Sequence, residues 1–135
     1  MMFRIGVLLL CLLMTACADD SAPRKAAPVG DRAVLEGLAK EYNKLAETVP
    51  NSPWKLAPDQ RKKFVEQVFA AGGYSYAATL HQMAEGGWNA GDQNVKDLAA
   101  LLFMPHTNVS APEGLKGVYS EQELADVRKV QAMLP

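Results

Sequence analysis

The sequence predicts an all-α fold, a small bundle of four to five helices carried behind a short apolar leader and a polar tether. Three observations predict it. Apolar residues recur at three- and four-residue steps in successive segments, the spacing that lines one face of a helix. Capping residues, prolines or glycine pairs bound each segment. No run alternates apolar and polar residues with period two, the mark of a half-buried strand. The chain divides into a leader at 1–16, a tether at 17–30 and a helical domain at 31–135.

Arg4 supplies a positive start, Ile5 to Leu13 an apolar core, and the small residues Thr15 and Ala16 precede Cys17, which is the layout of an export signal. A membrane-spanning helix needs about 20 apolar residues, and this run stops well short, before Asp19 and Asp20. The stretch Leu13-Met14-Thr15-Ala16-Cys17 resembles the lipobox of bacterial lipoprotein signal peptides, with Met14 where leucine is usual. The resemblance implies cleavage before Cys17, acylation of its thiol by palmitate-type chains, and attachment to a membrane facing the periplasm. Ala18 in place of aspartate after the cysteine implies the outer membrane rather than the inner. Cys11 follows Leu10, which is not small, and is the poorer acylation point. The alternative is a leader removed by the ordinary secretory peptidase.

Loss of the leader removes Arg4 alone of the 14 Lys and Arg and none of the 15 acidic residues, so the net charge moves from −1 to −2. That balance lacks the basic field that holds nucleic acid. Arg61-Lys62-Lys63 is the one basic run of the mature chain and is expected on the solvent face of a helix. With Cys11 cleaved off and Cys17 acylated, no thiol remains for a disulfide, a thiolate metal site or nucleophilic catalysis. The domain is expected to stand on its hydrophobic core.

Ala18 to Gly30 has prolines, alanines and charges without apolar periodicity and reads as a tether reaching up to about 40 Å. Asp31 is the expected cap of a first helix whose stripe is Leu35, Leu38, Tyr42, Leu45 and Val49, stopped by Pro50 and Pro53. A second helix starts around Pro58, buries Phe64, Val65, Val68 and Phe69, and ends at Gly72-Gly73. A third runs from about Ser75 to Glu85 with Tyr76, Leu80, Met83 and Ala84 inward, before Gly86-Gly87. The short turn between the second and third predicts an antiparallel hairpin. Asp92 caps a fourth helix carrying Val95, Leu98, Ala99, Leu102 and Phe103, closed by Pro105. His106 to Tyr119 is longer than the usual helix connection of about 2 to 8 residues and is a candidate binding loop. Ser120 and Glu123 form a capping box opening a last helix that buries Leu124, Val127, Val130 or Gln131, and Leu134.

Val68, Gly72, Tyr74, Ala77 and Ala84 fall at spacings similar to the turn and second helix of a tetratricopeptide repeat, with His81 and Arg61 where that repeat has large apolar residues. The resemblance implies a helical hairpin of the kind used for protein recognition. One repeat and a fragment do not make a solenoid, and ordinary helix packing accounts for the same residues.

Convergent chemical groups are scarce. His81 and His106 are the only histidines, and neither has a histidine at i±4, so no metal site and no cofactor are expected. Ser75, Ser110 and Ser120 lack the glycine-framed elbow of a nucleophile. Glu85 and Asp92 flank the Trp88 loop as a glycosidase pair would, yet both have plain roles as helix-terminal charge and N-cap. Asn108-Val109-Ser110 matches a glycosylation sequon, which carries little weight in the bacterial setting that the lipobox resemblance implies. The sequence therefore predicts a non-enzyme.

Trp54 and Trp88 sit in Pro- and Gly-framed loops, off the helix stripes, and tryptophan is enriched at interface hot spots. Each is either a lid on the bundle or an exposed anchor. Trp88, between glycines, is expected to be the more binding-like, and Trp54, between Pro53 and Pro58, the structural lid. Tyr74, Tyr76, Tyr119 and His106 share the ambiguity. The expected function is a lipid-anchored periplasmic interaction module with an envelope protein partner, such as a pilotin-like accessory, an assembly factor or an immunity-type inhibitor. The alternative is a peptidoglycan-binding or glycan-cleaving lipoprotein.

Overall fold

Among the described residues, five helices form where the capping signals place them: α1 Arg32–Ala46, α2 Pro58–Ala71, α3 Tyr76–Glu85, α4 Gln93–Phe103 and α5 Glu121–Met133. The computed structural model describes residues 24–107, 115 and 117–135, and the leader, Cys17 and the sequon lie outside the described residues. Asp31 caps α1 by accepting from the amides of Ala33 and Val34 at 2.9 and 3.3 Å. Ser75 accepts from Ala78, and Asp92 from Asn94, at the starts of α3 and α4. The capping box of α5 is closed in both directions, Glu123 N–H to Ser120 Oγ at 3.1 Å and Ser120 N–H to Glu123 Oε1 at 3.2 Å. Each contact satisfies an amide that the helix itself leaves without a partner.

The molecule is a small all-α bundle, and its core runs through α2, α3 and α4, from Phe64, Val65, Val68 and Phe69 to Leu80, Met83, Val95, Leu98 and Leu102. Phe69 meets Tyr76 edge to face at 5.7 Å. The closest helix pairs are α1 with α2 and α3 with α5. Sequential α2 and α3 touch less, so the expected hairpin is not the main seam of the fold. A 3₁₀ turn, Met104–His106, continues α4 and turns Met104 and Pro105 into the core against α2. Gly72 gives α1 room beside the end of α2, since a Cβ there would stand 3.1 Å from Leu38 Cδ2. Gly86, at φ 84°, ends α3 in a conformation that L side chains rarely adopt.

Four expectations are corrected. The helix expected to run to Val49 stops at Ala46, because the Thr48 hydroxyl and amide and the Val49 amide take the last carbonyls in a tightened turn. The tether expected to reach Gly30 is docked from Lys25 onward. Lys25 pairs with Tyr74 in a parallel bridge and accepts from Ser75 N–H at 2.9 Å, Ala27 is fully buried, and Gly30 accepts from Asn94 Nδ2 at 3.3 Å. Arg61 is buried rather than on a solvent face, donating to the Thr107 carbonyl at 3.0 Å. On α5, Asp126 is buried with Val127 and Val130, while Leu124 and Leu134 are half-buried and Gln131 is exposed.

Among the described residues no helix is long and apolar enough to cross a membrane.

Candidate functional site

Only Leu38 of α1 is fully buried, and Leu35, Tyr42 and Leu45 of its stripe are covered in part. That incomplete burial opens a groove of about 400 Å³ between α1 and α4. Leu35, Ala39, Tyr42 and Leu101 supply its apolar surface, and Arg32, Glu36, Asn43, Asn94 and Asp97 supply its polar groups. Tyr42 packs edge to face on Phe64 at 5.2 Å. Burial pushes its hydroxyl pKa up, opposed by the neighbouring Trp54 indole.

Trp54 is 48 % exposed. It occupies the 3₁₀ turn Pro53–Lys55, where Ser52 Oγ accepts from its amide at 3.3 Å and Pro53 takes the inward position. Proline fills the place that the lid expectation gave to tryptophan. Trp88 does the opposite. It is half-buried against the core, and its indole N–H donates to the Met83 carbonyl at 2.7 Å, supplying a donor to the C-terminal end of α3. The expected exposures of the two tryptophans are therefore reversed.

Tyr76 also leaves the set of surface candidates. It is 3 % exposed and donates its hydroxyl to the Leu102 carbonyl at 2.6 Å. Tyr74 is half-buried, with its backbone engaged by Lys25. His106 is half-buried between Phe103 and Tyr119.

Tyr76, Tyr119, His106 and Gln131 form a directed chain of polar contacts. Gln131 Nε2 faces His106 Nε2 at 3.2 Å, which makes that nitrogen the acceptor and leaves the proton on Nδ1. Nδ1 stands 3.2 Å from Tyr119 Oη. Tyr76 has given its one proton to Leu102, so Tyr119 is the donor in the long 3.4 Å contact between the two phenols. Burial, and then the nearby Arg61 guanidinium, push the His106 pKa down, which keeps the ring neutral as the chain requires. Burial raises Tyr119 to about 12 and Tyr76 higher still. The chain ends on a core carbonyl and joins α3, α4 and α5, the position of a structural network.

Lys62 lies beside it, held by Glu66 at 2.9 Å and Glu123 at 3.0 Å, 5.8 Å above the Tyr119 ring. Burial alone would lower its pKa, but the two carboxylates outweigh burial and raise it. Arg61 Nε is buried without a hydrogen-bond partner among the described residues. Also among the described residues, no three His, Cys, Asp or Glu side chains converge as a metal cage. Glu85 is exposed at the end of α3 and Asp92 is occupied as the α4 cap. Most of the loop from His106 to Tyr119 lies outside the described residues.

Against family models, curated proteins and solved structures, the chain matches none.

Proposed function

We propose that this chain is a lipid-anchored protein of the bacterial envelope, held through acylated Cys17 and facing the periplasm, at the outer membrane rather than the inner. In this reading the helical domain is a protein–protein interaction module without a catalytic role. It serves an envelope system as a pilotin-like accessory, an assembly factor or an immunity-type inhibitor. The observation that supports this best is Trp54, a 48 % exposed indole in the 3₁₀ turn ahead of α2, neighbouring Tyr42. A large aromatic that could be buried and is not stands out from the scattered apolar surface of an ordinary domain. The docked strap adds to it. Lys25 meets Tyr74 beyond the C-terminal end of α2, while Trp54 precedes the N-terminal end, so anchor exit and aromatic lie at opposite ends of one helix.

A second reading keeps one supporting observation: the exposed Trp54 indole offers a flat face of the kind that stacks on saccharides, as on peptidoglycan. Capture of partners from detergent-solubilised envelope, beside sedimentation with purified sacculi, separates the two. The interaction module predicts a retained protein that Trp54→Ala loses and no sedimentation. Trp54-dependent sedimentation with no retained protein would replace it by the glycan reading.

A further inference from the structure

We propose that His81 and Glu85, one turn apart on the exposed face of α3, bind a divalent transition-metal ion, zinc foremost, with buried Asp126 of α5 orienting the imidazole. His81 Nε2 and Glu85 Oε1 stand 3.4 Å apart, with the two side chains 53 % and 67 % exposed. Two ligand atoms bound at about 2.0–2.1 Å to one tetrahedral zinc are themselves separated by about 3.3 Å. The observed pair already has the bite of a chelate.

The other imidazole nitrogen carries the second half of the argument. Both Asp126 oxygens lie on Nδ1, at 3.2 and 3.3 Å, and Gln122 Nε2 donates to Oδ1 at 3.1 Å, so the carboxylate is itself fixed. Asp126 is 1 % exposed, and a carboxylate is withdrawn from water at a cost unless a partner holds it. A carboxylate on Nδ1 fixes the proton there and turns the Nε2 lone pair outward, the arrangement found behind metal-bound histidines. The site was invisible in sequence, because the i+4 partner is a glutamate and the orienting group lies 45 residues away.

Two protein ligands leave the remaining positions to water. Zinc competes with a proton for Nε2, so binding releases that proton where it is present and weakens as the solution is acidified. Without metal, a protonated His81 bridging Glu85 and Asp126 would hold α3 to α5 equally well, and the test separates that role from metal binding.

The full-length chain with Cys11→Ser and Cys17→Ser, in detergent micelles, is titrated with zinc chloride by calorimetry up to about 1 mM. One ion per chain is expected. His81→Ala abolishes binding, Glu85→Gln weakens it without altering the melt, and Asp126→Asn weakens it about 10- to 100-fold. His106→Gln leaves it unchanged. The proposal is overturned if zinc does not bind, if His81→Ala still binds one ion, or if Glu85→Gln, whose exposed side chain leaves the fold intact, binds as wild type does.

Discussion

The amide of Ala27 donates to the hydroxyl of Thr79 at 2.9 Å across 52 residues of sequence, and the same hydroxyl donates to the Ser75 carbonyl at 2.6 Å. One side chain thereby holds the strap to the first turn of α3. Thr79→Val keeps the shape and removes the acceptor, leaving a buried N–H without a partner. The expected cost is about 1 to 3 kcal/mol. Thermal or urea unfolding measures it, and an unchanged midpoint would mean that the strap does not contribute to the fold.

The tryptophans give the second prediction. Trp88→Ala removes core contact and the donor to Met83, and is expected to cost about 2 to 3 kcal/mol of stability. Trp88→Phe keeps most of the packing and loses the bond, for about 1 kcal/mol. Trp54→Ala is expected to stay within about 0.5 kcal/mol of wild type in stability while costing about 2 kcal/mol or more in partner binding. Melts of the three variants beside partner capture check both halves. A Trp54→Ala protein that melts far below wild type would return that residue to the core.

The third prediction is a pH dependence. Burial and Arg61 hold the His106 pKa below its usual value of about 6.5, so the unfolded chain takes up the proton first on acidification. Stability from the neutral ring is fully present above about 6.5 and is lost as pH falls through that value towards the lower folded one. Wild type should therefore melt lower at pH 5.5 than at pH 7.5, conditions about one unit either side of the reference. His106→Gln should flatten that difference, although it lowers stability at both pH values by cutting the link to Tyr119. Equal slopes in the two proteins would remove His106 as the source.

Local signals made the helices legible. Asp31, Ser75, Asp92 and the Ser120–Glu123 box act on amides two or three residues away, so their effect is written beside them in sequence. The misses share a different physics. Ala27, Arg61 and Asp126 are buried by partners 45 or more residues distant, Thr79, Thr107 and His81, and composition alone marks the first two as tether and solvent face and does not single out the third. Trp88 is the exception, because its partner Met83 is only five residues away. The glycines around it do not leave the indole free. They let the chain fold back so that it reaches the end of the helix it follows. The flanking prolines mark Trp54 as the lid, but its neighbour Pro53 is equally able to close the surface and takes the inward position.

The docked strap also changes what a lipid on Cys17 would do. With Lys25 fixed against Tyr74, a lipid on Cys17 would be joined to the docked strap by residues 17–24 alone, whose contour is at most about 25 Å rather than about 40 Å. On the proposed reading, Cys17→Ser leaves unprocessed precursor and abolishes fatty-acid labelling, and a variant that still incorporates label would end that reading. The shorter span adds a distance test. A photo-crosslinker at Trp54 should reach only partners within one domain length of the membrane, and inserting a Gly-Ser segment between Ala18 and Arg24 should extend that reach without altering the melt. If the same insertion after Val29 extended the reach equally and left stability unchanged, Ala27 would not be holding the strap and the full tether would be free. Because Ala27 is fully buried and hydrogen-bonded, insertion at that point should instead strain its contact with Thr79 and lower the melting temperature.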